Sequence, residues 1–255
     1  MAMMLLTEKG CGKVKGRMVF DGRRTREWIT KEDSASPIAT LEGIMLNLTF
    51  DAHEVRDVMS ADVPNAFIQT TMPEVKEGEE HVMMKITGVL VDMLVQLDPQ
   101  PYGRKVLYVQ VLRAIYGILS ASLLWYMKFK KDLEGISFKF NDYDPRIANR
   151  MVNGKQHTVR LHVDDLLSSH VDPKVNDQFA QWLEKMNGKY KAVEPTRGKI
   201  HDYLGMVVDF TEKGKVIIDM VKYVESMIGD FHVKHNKEAK KPAAENLLDI
   251  GTSKL

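Results

Sequence analysis

A chain of 255 residues with 44% hydrophobic and 28% charged side chains can bury a core as one large domain or one domain with an appendage, which excludes a disordered tail or a disulfide-stapled miniprotein. The formal charge of +1 hides a basic stretch in which Lys9, Lys13, Lys15, Arg17, Arg23, Arg24, Arg26 and Lys31 face only Glu8, Asp21 and Glu27, either a phosphate footprint or a solvated basic loop. The single cysteine, Cys11, excludes an intramolecular disulfide and fits a reducing, cytoplasmic setting, and no apolar run is long enough to span a membrane.

The basic arm gives way at Ser36 and Pro37 to a helix with Leu41, Ile44, Met45 and Leu48 on one face. Residues 57–63, small and β-branched, read as a strand closed by Pro64. Residues 72–105 carry Gly78, Pro99 and Pro101 and read as an irregular insertion with short strands near 82–86 and 91–97. After the apolar run 106–112, Ser120 or Ser122 caps a helix whose inward stripe is Trp125, Phe129, Leu133 and Ile136.

Asn153 and Gly154 form a hairpin-turn dipeptide joining residues 147–152 to 157–163. Strand alternation then puts Val159, Leu161 and Val163 on one face and Arg160, His162 and Asp164 on the other. A second turn follows with Asp164 and Asp165 at its corner, and residues 166–170 return as the partner strand. Asp172 and Pro173 open a helix with Val175, Phe179, Trp182 or Leu183, and Met186 inward, and Gly188 stops it. Residues 203–210 and 215–220 read as a hairpin around Glu212, Lys213 and Gly214. An amphipathic helix over 221–231 and a polar tail beyond Lys234 complete the chain. Its closing Ser253-Lys254-Leu255 has the form of a peroxisomal address and is read as a chance match.

From Asp57 the order strand, helix, strand, strand, helix, strand predicts an α+β fold, a split βαβ, ferredoxin-like antiparallel sheet with helices on one face. That architecture hosts many activities, so function has to come from a site. Asp164 and Asp165 at a hairpin corner and Asp62 at the end of a neighbouring strand offer hard oxygen ligands for Mg²⁺, and paired ions of that kind serve in-line phosphoryl displacement. Taken alone, an Asp-Asp pair more often only satisfies turn geometry, and Asp62 could close a strand or cap a helix.

The runs Ser60-Ala-Asp-Val-Pro-Asn-Ala-Phe67, Arg113-Ala-Ile-Tyr-Gly-Ile118 with Trp125 and Tyr126 behind it, Leu161-His-Val-Asp-Asp165 and Tyr203-Leu-Gly-Met206 stand in one order. Further matches lie at Lys15-Gly-Arg-Met-Val19 and Lys222-Tyr-Val224. Together they resemble copia-type retrotransposon reverse transcriptases. The resemblance implies a right-hand polymerase with a fingers-like basic part at 1–56, a palm at 57–220 and a partial thumb or frayed tail at 221–255.

It further implies an RNA-directed DNA polymerase that takes an RNA or DNA template with primer and deoxynucleoside triphosphates. Two Mg²⁺ or Mn²⁺ ions would be held by Asp62, Val63, Asp164 and Asp165. Lys15, Arg17, Phe67, Tyr116, Gly117 and Ser120 would surround the incoming nucleotide, with Phe67 as the bulky gate beneath its sugar. On residue chemistry alone Phe67 is equally a core aromatic, and Lys15 and Arg17 equally serve general attraction to a phosphate backbone.

The sequence departs from the family at Ser120 and Ser122, where Gln and Pro are usual, and at His162, which fills the place of a Tyr. Protease, integrase and RNase H segments are not visible, so the chain reads as a fragment or a decayed copy. Two alternatives follow: an inactive remnant or non-catalytic nucleic-acid binder, and a metal-dependent nuclease using the same carboxylates.

Overall fold

The computed structural model describes residues 1–8, 12–75, 81–97, 105–188 and 192–230. Lys9, Cys11, Gly78, Pro99, Pro101, Phe231 and the closing tail lie outside them. Strands β1 (Ala2–Glu8) and β2 (Val14–Phe20) form an antiparallel ribbon, with Ala2 opposite Phe20. Helix α1 (Leu41–His53) starts at Thr40, whose hydroxyl accepts from the Gly43 N–H. Then come β3 (Asp57–Asp62), β4 (Met83–Thr87), α2 (Val89–Leu97), β5 (Val106–Gln110), α3 (Ala121–Glu134), β6 (Lys139–Phe140), β7 (Ile147–Val152), β8 (Lys155–His162) and β9 (Asp165–His170). Helix α4 (Pro173–Asn187), β10 (Thr196–Gly198), β11 (Ile200–Tyr203), β12 (Met206–Asp209), β13 (Ile217–Asp219) and α5 (Val221–Asp230) complete the described chain.

Six strands form one antiparallel sheet in the order β10-β3-β9-β8-β7-β6. The path from β3 by way of α3 to β8 leaves a gap that β9 fills, and the path from β9 by way of α4 to β10 leaves one that β3 fills. On one face Met59, Ala61, Val63, Val159, Leu161 and Leu166 pack against Trp125, Phe129 and Leu133 of α3 and Phe179 and Leu183 of α4. On the other, Val58 and Leu167 meet Ile44, Leu48 and Ala52 of α1 and Tyr203, Met206 and Val208 of β11 and β12. Covering both faces buries β8 from His157 to Leu161, so alternation along that strand separates two interiors rather than core from solvent. Arg160, expected on a polar face, is wholly buried.

Two expectations are corrected. Residues 91–97 are not a strand: Gly88, at φ +63°, turns the chain out of β4, and the following residues form α2, with Val91 buried and Leu90, Leu94 and Val95 packed beside it at helical spacing. β4 pairs with β5 instead. Residues 203–210 are not one strand either: Leu204 (φ 53°) and Gly205 (φ 77°) make a tight turn that sets Tyr203 opposite Met206. β13 then joins the free edge of β12.

A buried polar chain ties α4 to the sheet. Arg150 Nε donates to His157 Nδ1 at 3.1 Å, His157 Nε2 lies 2.8 Å from Ser168 Oγ, and Ser168 Oγ donates to Asn176 Oδ1 of α4 at 2.8 Å. Burial first, then Arg150, push the His157 pKa from 6.5 down to about 3. A histidine that protonates at 6.5 when unfolded but only near 3 when folded stabilises the fold fully above pH 6.5 and progressively less below it. Urea unfolding at pH 7 and pH 4.5 is expected to show this as a loss of about 2–3 kcal/mol that is missing in His157→Gln.

The chain divides into two compact units, Met1–Ile218 and Asp219–Leu255. In the second, Asp219 Oδ1 accepts from the Val221 N–H at 2.7 Å and starts α5. Among the described residues no helix is long and apolar enough to cross a membrane.

Candidate active site

The pairing of β3 with β9 sets Asp62 opposite Asp165. One residue further along, the Val63 N–H donates to the Asp164 carbonyl at 2.9 Å. In an antiparallel ladder hydrogen-bonded and non-hydrogen-bonded pairs alternate, so Asp62 and Asp165 are a non-hydrogen-bonded pair, the closer kind, with Cα atoms about 4.5 Å apart and both side chains on one face. Across β8–β9, Asp165 faces His162. The two loop residues are therefore Val163 and Asp164, and Asp165 is not at the corner but is the first residue of the returning strand.

The three carboxylates feel one another. Burial, then Asp164, then Asp62 raise the Asp165 pKa, opposed by His162. The Tyr116 phenol is likewise raised, by burial first and then by Asp164, with Asp62 adding to it and Arg17 opposing. Among the described residues, however, no three Asp, Glu, His or Cys side chains converge closely enough to hold a metal ion between them. The acidic corner is assembled without being closed into a cage.

Val163 has φ 57°, and Asp164 does not share that sign. A positive φ at the first loop residue suits glycine, and a β-branched residue there is strained, so the surroundings must hold it. They do so through the wholly buried Trp125, whose Nε1 donates to the Val163 carbonyl at 2.7 Å and whose ring stacks on Phe129 at 5.1 Å. The sequence marked Trp125 as part of a core stripe and of the run behind residues 113–118, not as a support for the turn. The available signal was chemical: a buried indole N–H needs an acceptor.

A cavity of about 210 Å³ opens among Gly16, Arg17, Asn65, Phe67, Ile68 and Tyr116. Phe67 meets Tyr116 edge to face, with ring centroids 4.9 Å apart, and the Arg17 guanidinium lies 5.3 Å from the Tyr116 ring centre. Gly117 makes this possible. It sits at φ +90°, the Phe20 N–H donates to the Tyr116 carbonyl at 2.7 Å, and a Cβ on Gly117 would strike the Phe20 carbonyl. The β1–β2 ribbon can thus dock on residues 116–117 and deliver Arg17.

Lys15 shares the strand face of Arg17 but is exposed and does not line the cavity. Ser120 occupies the N-cap of α3 without making a side-chain capping bond, and it lies outside the cavity lining. Ser122 instead lines a separate hollow of about 230 Å³ with Arg146, His162 and Val163. A roomier hollow of about 620 Å³, between residues 71–75 and 110–113, shares no lining residue with the acidic corner.

The family model for reverse transcriptase (RNA-dependent DNA polymerase) matches residues 6–245. The chain is 22% identical over 242 residues to the retrovirus-related Pol polyprotein from transposon TNT 1-94 of Nicotiana tabacum, a match covering 92% of this chain and 16% of that protein. To a putative Ty5-1 transposon protein of Saccharomyces cerevisiae it is 23% identical over 128 residues, covering 50% of this chain and 40% of that one. The matches therefore span less than half the length of either relative.

Among solved structures, an apo telomerase from Candida tropicalis, truncated from its C-terminal domain, aligns with a TM-score of 0.44 and 9% identity over 86% of this chain and 55% of that one. A Candida albicans telomerase in complex with a fragment of telomeric RNA gives 0.42 and 11%, over 89% and 50%. With nearly all its residues matched by the family model and transposon proteins among its relatives, the chain belongs to the reverse transcriptase (RNA-dependent DNA polymerase) family of copia-type retrotransposons.

Proposed function

We propose that this chain carries the nucleotidyl-transfer site of a retrotransposon reverse transcriptase, which joins a deoxynucleoside monophosphate to a primer 3′-hydroxyl opposite an RNA or DNA template, with pyrophosphate leaving. The observation behind this is the β3–β9 register, which puts Asp62 beside Asp165 at the Asp164 turn, within electrostatic reach of Tyr116, which lines a cavity with Arg17 and Phe67. The strand order β10-β3-β9-β8 supports reading residues 57–220 as a split βαβ, ferredoxin-like palm. Residues 1–56 then supply a fingers side and 221–255 the start of a thumb.

The oxygen donors Asp62, Asp164, Asp165 and the Val63 carbonyl suit two Mg²⁺ or Mn²⁺ ions, which when bound would acidify the primer hydroxyl and neutralise the leaving phosphates. The open corner fits that use, because Mg²⁺ takes one or two carboxylates and fills its shell from water and substrate phosphates. Arg17 offers a planar pair of donors to phosphate oxygens, and Lys15 a point charge on the same strand face. The Phe67 ring, braced by Tyr116, would floor the sugar site and exclude a 2′-hydroxyl. Trp125 would keep the Asp164 turn in its strained shape.

Given a primed RNA template, deoxynucleotides and Mg²⁺ or Mn²⁺, the purified chain is expected to extend the primer and Asp164→Asn to fall by about a thousandfold or more, roughly 4 kcal/mol of lost transition-state stabilisation. Extension that persists in Asp164→Asn would rule the mechanism out. Salt-dependent duplex binding without extension would mark a non-catalytic binder, the reading favoured by a Ser120 that reaches neither cavity nor cap. Trp125→Phe, which keeps an aromatic ring but leaves the Val163 carbonyl without its donor, is expected to lower kcat about tenfold with the nucleotide KM unchanged. Steady-state single-nucleotide incorporation checks this.

A further inference from the structure

We propose that Trp28, which closes the turn carrying Arg24 and Arg26, is a stacking platform for the unpaired bases of a single-stranded nucleic acid, outside the nucleotide cavity. Trp28 is 82% exposed, whereas Trp125 is 1% exposed and Trp182 stacks on Phe179 at 5.5 Å. An indole left in water forfeits the burial that makes tryptophan worth having in a fold.

Its position is built. A short 3₁₀ turn, Gly22–Glu27, is capped by Asp21, and Trp28 closes it by donating its N–H to the Thr25 carbonyl at 3.1 Å. Thr25 Oγ1 donates to the Gly22 carbonyl at 2.7 Å. Gly22 in turn lies so close to the Gly117 carbonyl that a Cβ there would collide with it. The turn carrying Trp28 therefore stands on the same support as Tyr116 and Arg17.

The charges select the ligand. Arg23 is taken by Asp21 at 2.9 Å, and Thr30 Oγ1 donates to the Asp33 carboxylate at 2.7 Å. Arg24 and Arg26 are exposed and make no ion pair among the described residues. Glu27 is the one acidic residue between them and Trp28. An exposed ring on the turn that also carries two exposed guanidinium groups offers a surface to a base and positive charge to its backbone phosphates. Stacking needs no base-specific pocket, so the platform should tolerate any sequence and prefer strands whose bases are not already paired.

The inference rests on the nucleic-acid reading of the family site, but its test uses neither metal nor nucleotide, so a failure to polymerise would leave the result untouched. Of the three tryptophans only Trp28 is largely exposed, so quenching of intrinsic fluorescence reports on it. The intact chain would be titrated with oligodeoxythymidylate, with single-stranded RNA, and with a blunt duplex of equal length.

Single strands are expected to quench strongly and the duplex weakly. Followed by the anisotropy of a dye-labelled oligonucleotide, since both variants lack the reporting indole, Trp28→Leu should bind single strands about tenfold more weakly, whereas Trp28→Phe, which keeps a π face, should stay within about threefold of the unaltered chain. Arg24→Gln with Arg26→Gln should flatten the log–log salt slope by about 1.4, two phosphates at roughly 0.7 each. Single-strand affinity unchanged in Trp28→Leu, or equal quenching by the duplex, would overturn the proposal.

Discussion

Changing Asp62 to Asn is expected to slow primer extension by about a thousandfold or more, and adding Asp164→Asn to it should cost little further. Groups that serve one bound species act as a unit, so the second loss finds little left to remove. The register makes the coupling specific: Asp62 stands opposite Asp165, while the Val63 N–H holds the Asp164 carbonyl at 2.9 Å. Folding should not suffer. Asp62 lies exposed at the end of β3, and both it and Asp164 push the Asp165 pKa up, so removing one relieves repulsion. Single-turnover incorporation by the two single variants and the double variant measures this. Multiplying penalties would mean that the residues act separately.

The largest effect on stability is expected at Asp51. Its carboxylate, inside α1, accepts from Ser169 Oγ at 2.6 Å and lies 2.6 Å from Arg160 Nη2 and 3.6 Å from Arg56 Nη1. Arg160 and Asp51 side chains have no exposure at all. Asp51→Ala would leave the Arg160 guanidinium in the interior without its anion, while Arg56 keeps Glu54 at 2.8 Å, a loss of about 3–5 kcal/mol. Replacing the pair together, Asp51→Leu with Arg160→Met, should recover most of it, because the desolvation cost of both charges disappears. Urea unfolding of the three proteins tests the point. A midpoint in Asp51→Ala equal to that of the unaltered chain would show that the buried pair contributes nothing.

Where local chemistry decides structure, the sequence could be read directly. Helix α4 begins at Asp172, whose carboxylate accepts from the Lys174 N–H, and its C-cap is Gly188 at φ 58°, both visible as residue types. Asn153 and Gly154 take the positive φ values, 51° and 73°, that their turn requires. The stripe Trp125, Phe129, Leu133 is buried as its spacing implies.

Local signals failed where a distant partner decides. The apolar run 89–97 suits either a strand or a helix, and the edge of β4 was already taken by β5. A leucine at 204 gives no sign that it will adopt φ 53°. An arginine on a strand does not announce an aspartate more than a hundred residues away. At the site, the order of motifs brought Asp62 to the hairpin, and spacing alone could not. Lys15 and Ser120 were named by resemblance, and the cavity lining leaves both out, because lining depends on how the ribbon and the α3 cap are presented.

On the proposed mechanism Asp62, Asp164 and Asp165 would hold divalent ions together once a nucleotide is present. The most direct measurement is the free Mn²⁺ signal in electron paramagnetic resonance, followed as the chain is added with a chain-terminated primer–template and the next deoxynucleotide. The intact protein should remove Mn²⁺ from solution beyond what nucleotide and nucleic acid bind by themselves. That extra uptake should vanish in Asp62→Asn, Asp164→Asn and Asp165→Asn alike. Uptake by Asp62→Asn equal in amount and affinity to that of the unaltered chain would contradict the account.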